Sequence, residues 1–384
     1  MKNNRTFLEK LLDGAEVKWI PLGNVADYEQ PTKYLVNSTV YNDNYPIPVL
    51  TAGKTFILGY TNEDEGIYFA SKSPVIIFDD FTTANKWVDF DFKAKSSAMK
   101  MITSKNEKFA LLKYIYYWLN TLPNNQIDGD HKRQWISNYA NKLIPIPPLS
   151  VQTEIVRILD VLTALTSELT SELTSELTLR QKQYEYYREK LLNIDEMNKV
   201  IELGDVGPVR MCKRILKNQT ASSGDIPFYK IGTFGKKPDA YISNELFQEY
   251  KQKYSYPKKG DILISASGTI GRTVIFDGEN SYFQDSNIVW IDNDETLVLN
   301  KYLYHFYKIA KWGIAEGGTI QRLYNDNLKK VKISIPPLKE QQRIVSILDK
   351  FETLTNSITE GLPLAIEQSQ KRYEYYRELL LNFS

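Results

Sequence analysis

Ser265, Ser267, Thr269 and Arg272 surround two closely spaced glycines, Gly268 and Gly271, and a second group, Gln321 and Arg322, follows Gly317-Gly318. Hydroxyls and guanidinium groups on glycine turns suit phosphate oxygens, and the paired donors and acceptors of Gln and Arg suit base edges. The chemistry on offer is contact with a nucleic acid rather than the making of bonds. Lys132 and Arg133 stand 189 positions before Gln321 and Arg322. Lys54, Thr82, Thr83, Asn85 and Lys86 are weaker candidates of the same kind, as are the basic pairs Lys213-Arg214 and Lys236-Lys237. Asp79-Asp80 and Asp89 with Asp91 have the look of a nuclease carboxylate cluster, but they are read here as solvated strand ends or turns. There is no phosphate-cradling glycine loop. Cys212 has no second cysteine to pair with, and His131 and His305 are too few for a histidine-rich metal site. No catalytic centre and no metal is expected in this chain.

The elements that must carry these residues are organised by an internal repeat. Residues 146–193 align without a gap on residues 335–382, with 25 of 48 positions identical at the offset of 189. Ile146-Pro147-Pro148-Leu149 matches Ile335-Pro336-Pro337-Leu338, Gln152 matches Gln341, and the run from Tyr184 to Glu189 recurs from Tyr373 to Glu378. Proline is tolerated in a first helical turn and not inside a helix, so each double proline opens a helix. Apolar residues follow at helical spacing through Val151, Ile155, Ile158, Leu159, Leu162, Leu165, Leu169, Leu173 and Leu177. A helix over roughly residues 150–192 would be about 65 Å long. Its apolar stripe needs a partner of similar length, and an antiparallel second copy fits best. Gly361-Leu362-Pro363 predicts a break in that copy near 361–363. Thr166-Ser167-Glu168-Leu169 occurs three times in tandem, ending at Leu177.

Between the helices lie two regions whose edges match and whose middles do not. The domain reading is therefore residues 1–145, a spacer helix at 146–194, a second domain at 195–334 and a second spacer helix at 335–384. Residues 260–265 and 273–276 read as strands around the Ser/Gly turn, with 75–78 and 87–90 as their counterparts. Residues 111–119 and 302–309 read as helices. The fold class is α+β: two mixed domains, a pseudo-twofold repeat and two long antiparallel helices. Length fits two domains, and the formal charge of +1 hides a division. Residues 150–194 and 338–384 together carry −3, which leaves +4 on the rest. No run approaches the ~20 apolar residues of a membrane span, and residues 1–10 lack the core of a signal peptide, so a cytoplasmic location is expected.

With these residues in view the chain resembles the specificity subunits of type I restriction-modification systems. The resemblance rests on the Ile-Pro-Pro-Leu…Gln…Ile-Val…Leu-Asp entry to each helix, the Gln-Lys-Gln-Tyr-Glu-Tyr-Tyr-Arg exit and the Gly-Thr-Ile-Gly-Arg turn at 268–272. It implies that each domain reads one half of a split double-stranded DNA site. It also implies that the helices bind two modification subunits and that restriction subunits join them. S-adenosylmethionine, ATP and Mg would then belong to those partners, and the chain itself would be non-catalytic. Pro147-Pro148 and Pro336-Pro337 follow isoleucine, not the asparagine of an adenine methyltransferase motif. Tyr184, Tyr187, Tyr373 and Tyr376 are read as packing residues of the helix pair or of the subunit interface. The alternative is a coiled-coil scaffold that binds only protein.

Overall fold

The computed structural model describes residues 6–53, 55–123, 133–193, 198–313 and 321–383. The chain forms two compact units, one of residues 1–172 with 366–384 and one of residues 173–365.

The first unit opens with α1 (Phe7–Leu12), whose first turn is closed by a capping box between Thr6 and Glu9. β1 (Lys18–Pro21), the short α2 (Leu22–Val25), β2 (Ala26–Glu29), β3 (Ile47–Leu50), β4 (Ile57–Thr61), β5 (Val75–Asp79), β6 (Asn85–Val88), β7 (Lys93–Ala94) and β8 (Met99–Ser104) follow. Then come α3 (Leu112–Leu119), α4 (Gln134–Ser137), β9 (Leu143–Ile146) and the long α5 (Leu149–Leu192), which passes into the second unit. The strands form an antiparallel sheet in the order β2-β8-β5-β6, a smaller sheet β4-β3-β7 and a ribbon β1-β9. Every residue of β5 is buried, which accounts for its unbroken Val-Ile-Ile-Phe run.

The second unit repeats this plan through β10 (Lys199–Glu202), α6 (Leu203–Val206), β11 (Val209–Arg210), β12 (Ile226–Tyr229) and β13 (Tyr241–Ile242). After α7 (Asn244–Lys253), which has no counterpart in the first unit, come β14 (Ile262–Ser265), β15 (Thr273–Ile275), β16 (Tyr282–Phe283) and β17 (Ile288–Ile291). α8 (Asn300–Tyr307), α9 (Asn325–Lys329), β18 (Lys332–Ile335), α10 (Leu338–Asn356) and α11 (Leu362–Leu381) complete the chain. The sheets are β11-β17-β14-β15, β13-β12-β16 and β10-β18, strand for strand the order of the first unit. A parallel strand pairing recurs as well, β3 with β7 and β12 with β16.

The mixed domains and paired long helices expected from the sequence are present. α5 starts directly after its double proline, with the amides of Val151 and Gln152 bonded to the Pro148 carbonyl. α10 stops at Asn356 and α11 begins at Leu362. Gly361 takes φ +88°, and a Cβ there would lie 2.6 Å from the Thr353 carbonyl oxygen, so only glycine turns the chain at this point. Pro363 sits in the first turn of α11, where its missing N–H is harmless. In the first unit Thr163 of α5 donates to Tyr373 of α11 at 3.0 Å, and in the second Tyr184 of α5 stacks on Phe351 of α10. α5 is thus paired with α11 in the first unit and with α10 in the second. Among the described residues no helix is long and apolar enough to cross a membrane.

Candidate nucleic-acid interface

In the second unit the β14–β15 hairpin is closed by the glycine turn. The Ser265 hydroxyl donates to the Thr269 carbonyl at 2.5 Å and accepts the Arg272 amide at 2.9 Å. Gly271 returns its N–H to the Ser265 carbonyl from φ +81°, and a Cβ on it would lie 2.2 Å from the Trp312 indole nitrogen. Ser267 donates to Asn287 at 2.8 Å. Both serines are buried and their hydroxyls hold the loop, so neither presents a group to solvent. Thr269 is exposed, and Arg272 is half-buried with one N–H on the Phe234 carbonyl at 3.1 Å.

A second segment lies alongside. Ser267 bridges Arg322, and the Leu323 amide donates to the Ala266 carbonyl at 2.8 Å. Gln321 is exposed and the half-buried Arg322 donates to the Ser286 carbonyl at 3.3 Å. The two groups singled out in the sequence therefore meet on one rim. Lys213 and Arg214 do not join them. They are exposed, follow β11 on the sheet edge opposite β15, and Lys213 lies over the Tyr254 ring at 5.0 Å. Lys236 and Lys237 are also exposed.

The first unit builds the same rim with other side chains. Thr83 returns its N–H to the Asp79 carbonyl from φ +63°, as Gly271 does to Ser265, and the Asp79 amide bonds the Ala84 carbonyl as Ser265 bonds that of Arg272. A β-branched residue at positive φ is strained by about 1–3 kcal/mol. Here the strain is held by bonds on both sides. One Asp79 oxygen accepts the amides of Phe81 and Thr82 at 2.9 and 3.2 Å. The Asp80 carbonyl takes the Gln134 amide and its carboxylate the Trp135 amide, both at 2.8 Å. The expectation that Asp79 and Asp80 are solvated is overturned, since they are 7% and 1% exposed. A buried carboxylate needs a partner. Asp80 has one in Lys100 of β8, 3.6 Å away, fully buried and lying over the Tyr28 ring.

Thr82, Lys86 and Arg133 stand exposed around this turn, while Asn85 accepts a bond from Asn120 at 3.0 Å. Lys54 and Lys132, like His131, lie outside the described residues. The buried Asp80–Lys100 pair and the exposed Phe81 escaped the sequence reading. A lysine and an aspartate 20 positions apart carry no pattern until β5 and β8 are known to be neighbours.

Behind the rims, each domain is bolted to a helix by a buried glutamine. Gln152 accepts the Leu111 amide and donates to the carbonyls of Phe109 and Pro147, all within 3.0 Å. Gln341 makes the matching bonds to Leu299, Leu297 and Pro336. Further along, Asp160 accepts from Tyr117 at 2.5 Å with Lys113 at 3.6 Å, whereas Asp349 meets His305 at 2.8 Å with Lys301 at 3.1 Å. Burial lowers the pKa of His305 despite that carboxylate, and pushes the Tyr184 hydroxyl up to about 12. His305, Asp349 and Glu352 bring three donor atoms together, but the carboxylates already hold Lys301 and Lys308, so this is an ion-pair network. Tyr184 is buried against Phe351, so its ring packs the helix pair; Tyr187 and Tyr376 are exposed and Tyr373 is half-buried. Cys212 is buried in the core of the second unit.

Comparison with known proteins gives one consistent result. The sequence model of the type I restriction modification DNA specificity domain matches twice, over residues 15–179 and 195–368. The Haemophilus influenzae protein S.HindORF215P, assigned as a type I restriction enzyme specificity subunit, is 71% identical over the full length of both chains. The EcoR124I/EcoR124II specificity subunit of Escherichia coli is 50% identical over 98% of this chain and 97% of its own. Among solved structures, the HsdS subunit of Thermoanaerobacter tengcongensis shares the fold with a TM-score of 0.51 at 18% identity, covering 99% of this chain and 98% of that one.

Proposed function

The chain belongs to the family of type I restriction-modification specificity subunits, and from that premise we propose that its two units each read one half of a bipartite double-stranded DNA site through the rims described above. The observation that carries this reading is the same hairpin-and-arginine frame built twice with unlike exposed and half-buried side chains. Phe81, Thr82, Lys86 and Arg133 stand on one rim, and Thr269, Arg272, Gln321 and Arg322 on the other. A common backbone with different hydrogen-bonding and apolar groups is what two readers of different sequences require. With the family settled, a scaffold that binds only protein is no longer a competing reading.

The paired helices would dock two modification subunits, using exposed aromatic positions such as Tyr187 and Tyr376 near the helix ends, with restriction subunits joining the assembly. S-adenosylmethionine, ATP and Mg would be held by those partners, and methylation and cleavage would be carried out there, in the cytoplasm. The near-neutral charge fits this division of labour, since phosphate affinity would be shared with the other subunits.

Arg133→Ala and Arg322→Ala test the placement. In the assembled methyltransferase, each should weaken binding to a cognate duplex roughly 5- to 150-fold, the worth of one good base contact of about 1–3 kcal/mol. Each should relax discrimination in one half-site only. Unchanged affinity and discrimination in both variants would remove the rims from the interface.

A further inference from the structure

We propose that Phe81, together with Ile136, reads the 5-methyl group of a thymine in the major groove, so that the half-site of the first unit contains an A·T pair recognised by apolar contact. This deepens the DNA-reading role proposed above and rests on it.

Phe81 is 41% exposed at the tip of the β5–β6 turn and Ile136 is 59% exposed on α4. Isolated exposed apolar residues are ordinary, so exposure alone decides nothing. Position does. Asp80 is bonded to Gln134 and Trp135, so Phe81 and Ile136 each lie one residue beyond a bonded pair and belong to the same rim. In the second unit Ala266 is bonded to Leu323 as Asp80 is to Gln134, which makes Ser267 the counterpart of Phe81. The offset of 189 makes Asn325 the counterpart of Ile136. At two matched points of one frame, the first unit therefore presents exposed apolar side chains where the second has the half-buried Asn325 and the buried Ser267, whose hydroxyl is already bonded to Asn287.

The turn that carries Phe81 is fixed before any ligand arrives. Asp79 holds the amide of Phe81, Asp80 ties the loop to α4, and Lys100 anchors Asp80 from below. A ring held this way makes its contact with little ordering cost. The turn's carboxylates face inward while Thr82, Lys86 and Arg133 face solvent, so the surroundings suit a polyanion rather than an apolar protein surface. On a duplex the apolar group offered at a groove edge is the thymine methyl, and Phe is a residue type that contacts it.

The test uses the specificity chain assembled with its modification subunits and a cognate duplex in which each thymine of the first unit's half-site is replaced in turn by deoxyuridine. For the wild type, one replacement should weaken binding about 4-fold, the transfer worth of one buried methyl. In Phe81→Ser, which installs the residue of the second unit, that difference should vanish. Ile136→Asn should reduce it without altering assembly. Absence of a deoxyuridine penalty at every thymine of the half-site, or a penalty that persists in Phe81→Ser, overturns the proposal. So does a 2-aminopurine signal showing that Phe81 unstacks a base step. If Arg133→Ala still weakens binding while deoxyuridine has no effect, only the methyl contact falls. If neither matters, the rim itself is misplaced.

Discussion

His305 shows how one side chain can make two matched units respond differently to acid. Its ring is buried, with Nε2 on Asp349 and Nδ1 3.4 Å from the Tyr184 hydroxyl, while Lys301, Tyr304, Lys308, Glu352 and Arg188 surround the same network. Desolvation outweighs the attraction of Asp349 and Glu352 and lowers the folded-state pKa. The unfolded chain therefore binds the proton more readily. Stability from the neutral ring is fully present above the unfolded value of ~6.5 and is lost as pH falls below it. The slope is at most about 1.4 kcal/mol per pH unit for one proton. The first unit has no histidine at the matching place: there the Tyr117 hydroxyl, whose pKa burial raises, bonds Asp160. Urea unfolding between pH 7.5 and 5.5 should show a steeper loss for wild type than for His305→Tyr. Equal slopes would mean that the carboxylates, not the imidazole, control acid sensitivity.

Among the elements, α5 was the most legible in the sequence and the reading turns the least. Forty-four residues with no glycine or proline, a periodic stripe and a double-proline start leave little alternative to one helix, and it runs from Leu149 to Leu192. The hairpins were placed to within a residue or two because Val/Ile runs bounded by turn residues read as strands. The groups that fix those turns were not legible. Ser265 and Ser267 looked like ligand contacts because their types suit phosphates, and only the fold reveals that their hydroxyls are already bonded. Asp80 looked solvated because its buried lysine lies on another strand. Within α5 the tandem repeat invites a test by deletion. Leu165 and Leu169 beside the deleted segment are exposed and its own Leu173 is only half-buried, so removing four residues need not open a core. Four residues shorten a helix by ~6 Å and rotate it by a net ~40°, close to the ~34–36° of one base pair. Deleting residues 170–173 should leave both half-sites intact and shorten the unread spacer by one pair, as mapped by methylome sequencing. An unchanged spacer with full activity would mark the repeats as filler.

At the scale of the whole molecule the two units share strand order, parallel pairing and glutamine bolts, and differ in their exposed rims and in α7. Replacing residues 13–145 with the corresponding segment of another specificity subunit should change one half-site and leave the other untouched. Alteration of both would mean that the units do not read independently. Such exchange is eased by the ribbons. Lys18 lies opposite Ile146 and Lys199 opposite Ile335, so each reader is entered and left through adjacent antiparallel strands. A segment whose two ends are neighbours can be lifted out and replaced while only a four-residue register is preserved. The two Ile-Pro-Pro-Leu repeats lie at the ends of these ribbons, at the same place in each unit. A recombination there would deliver an intact reader in frame and a new restriction specificity in a single inherited step.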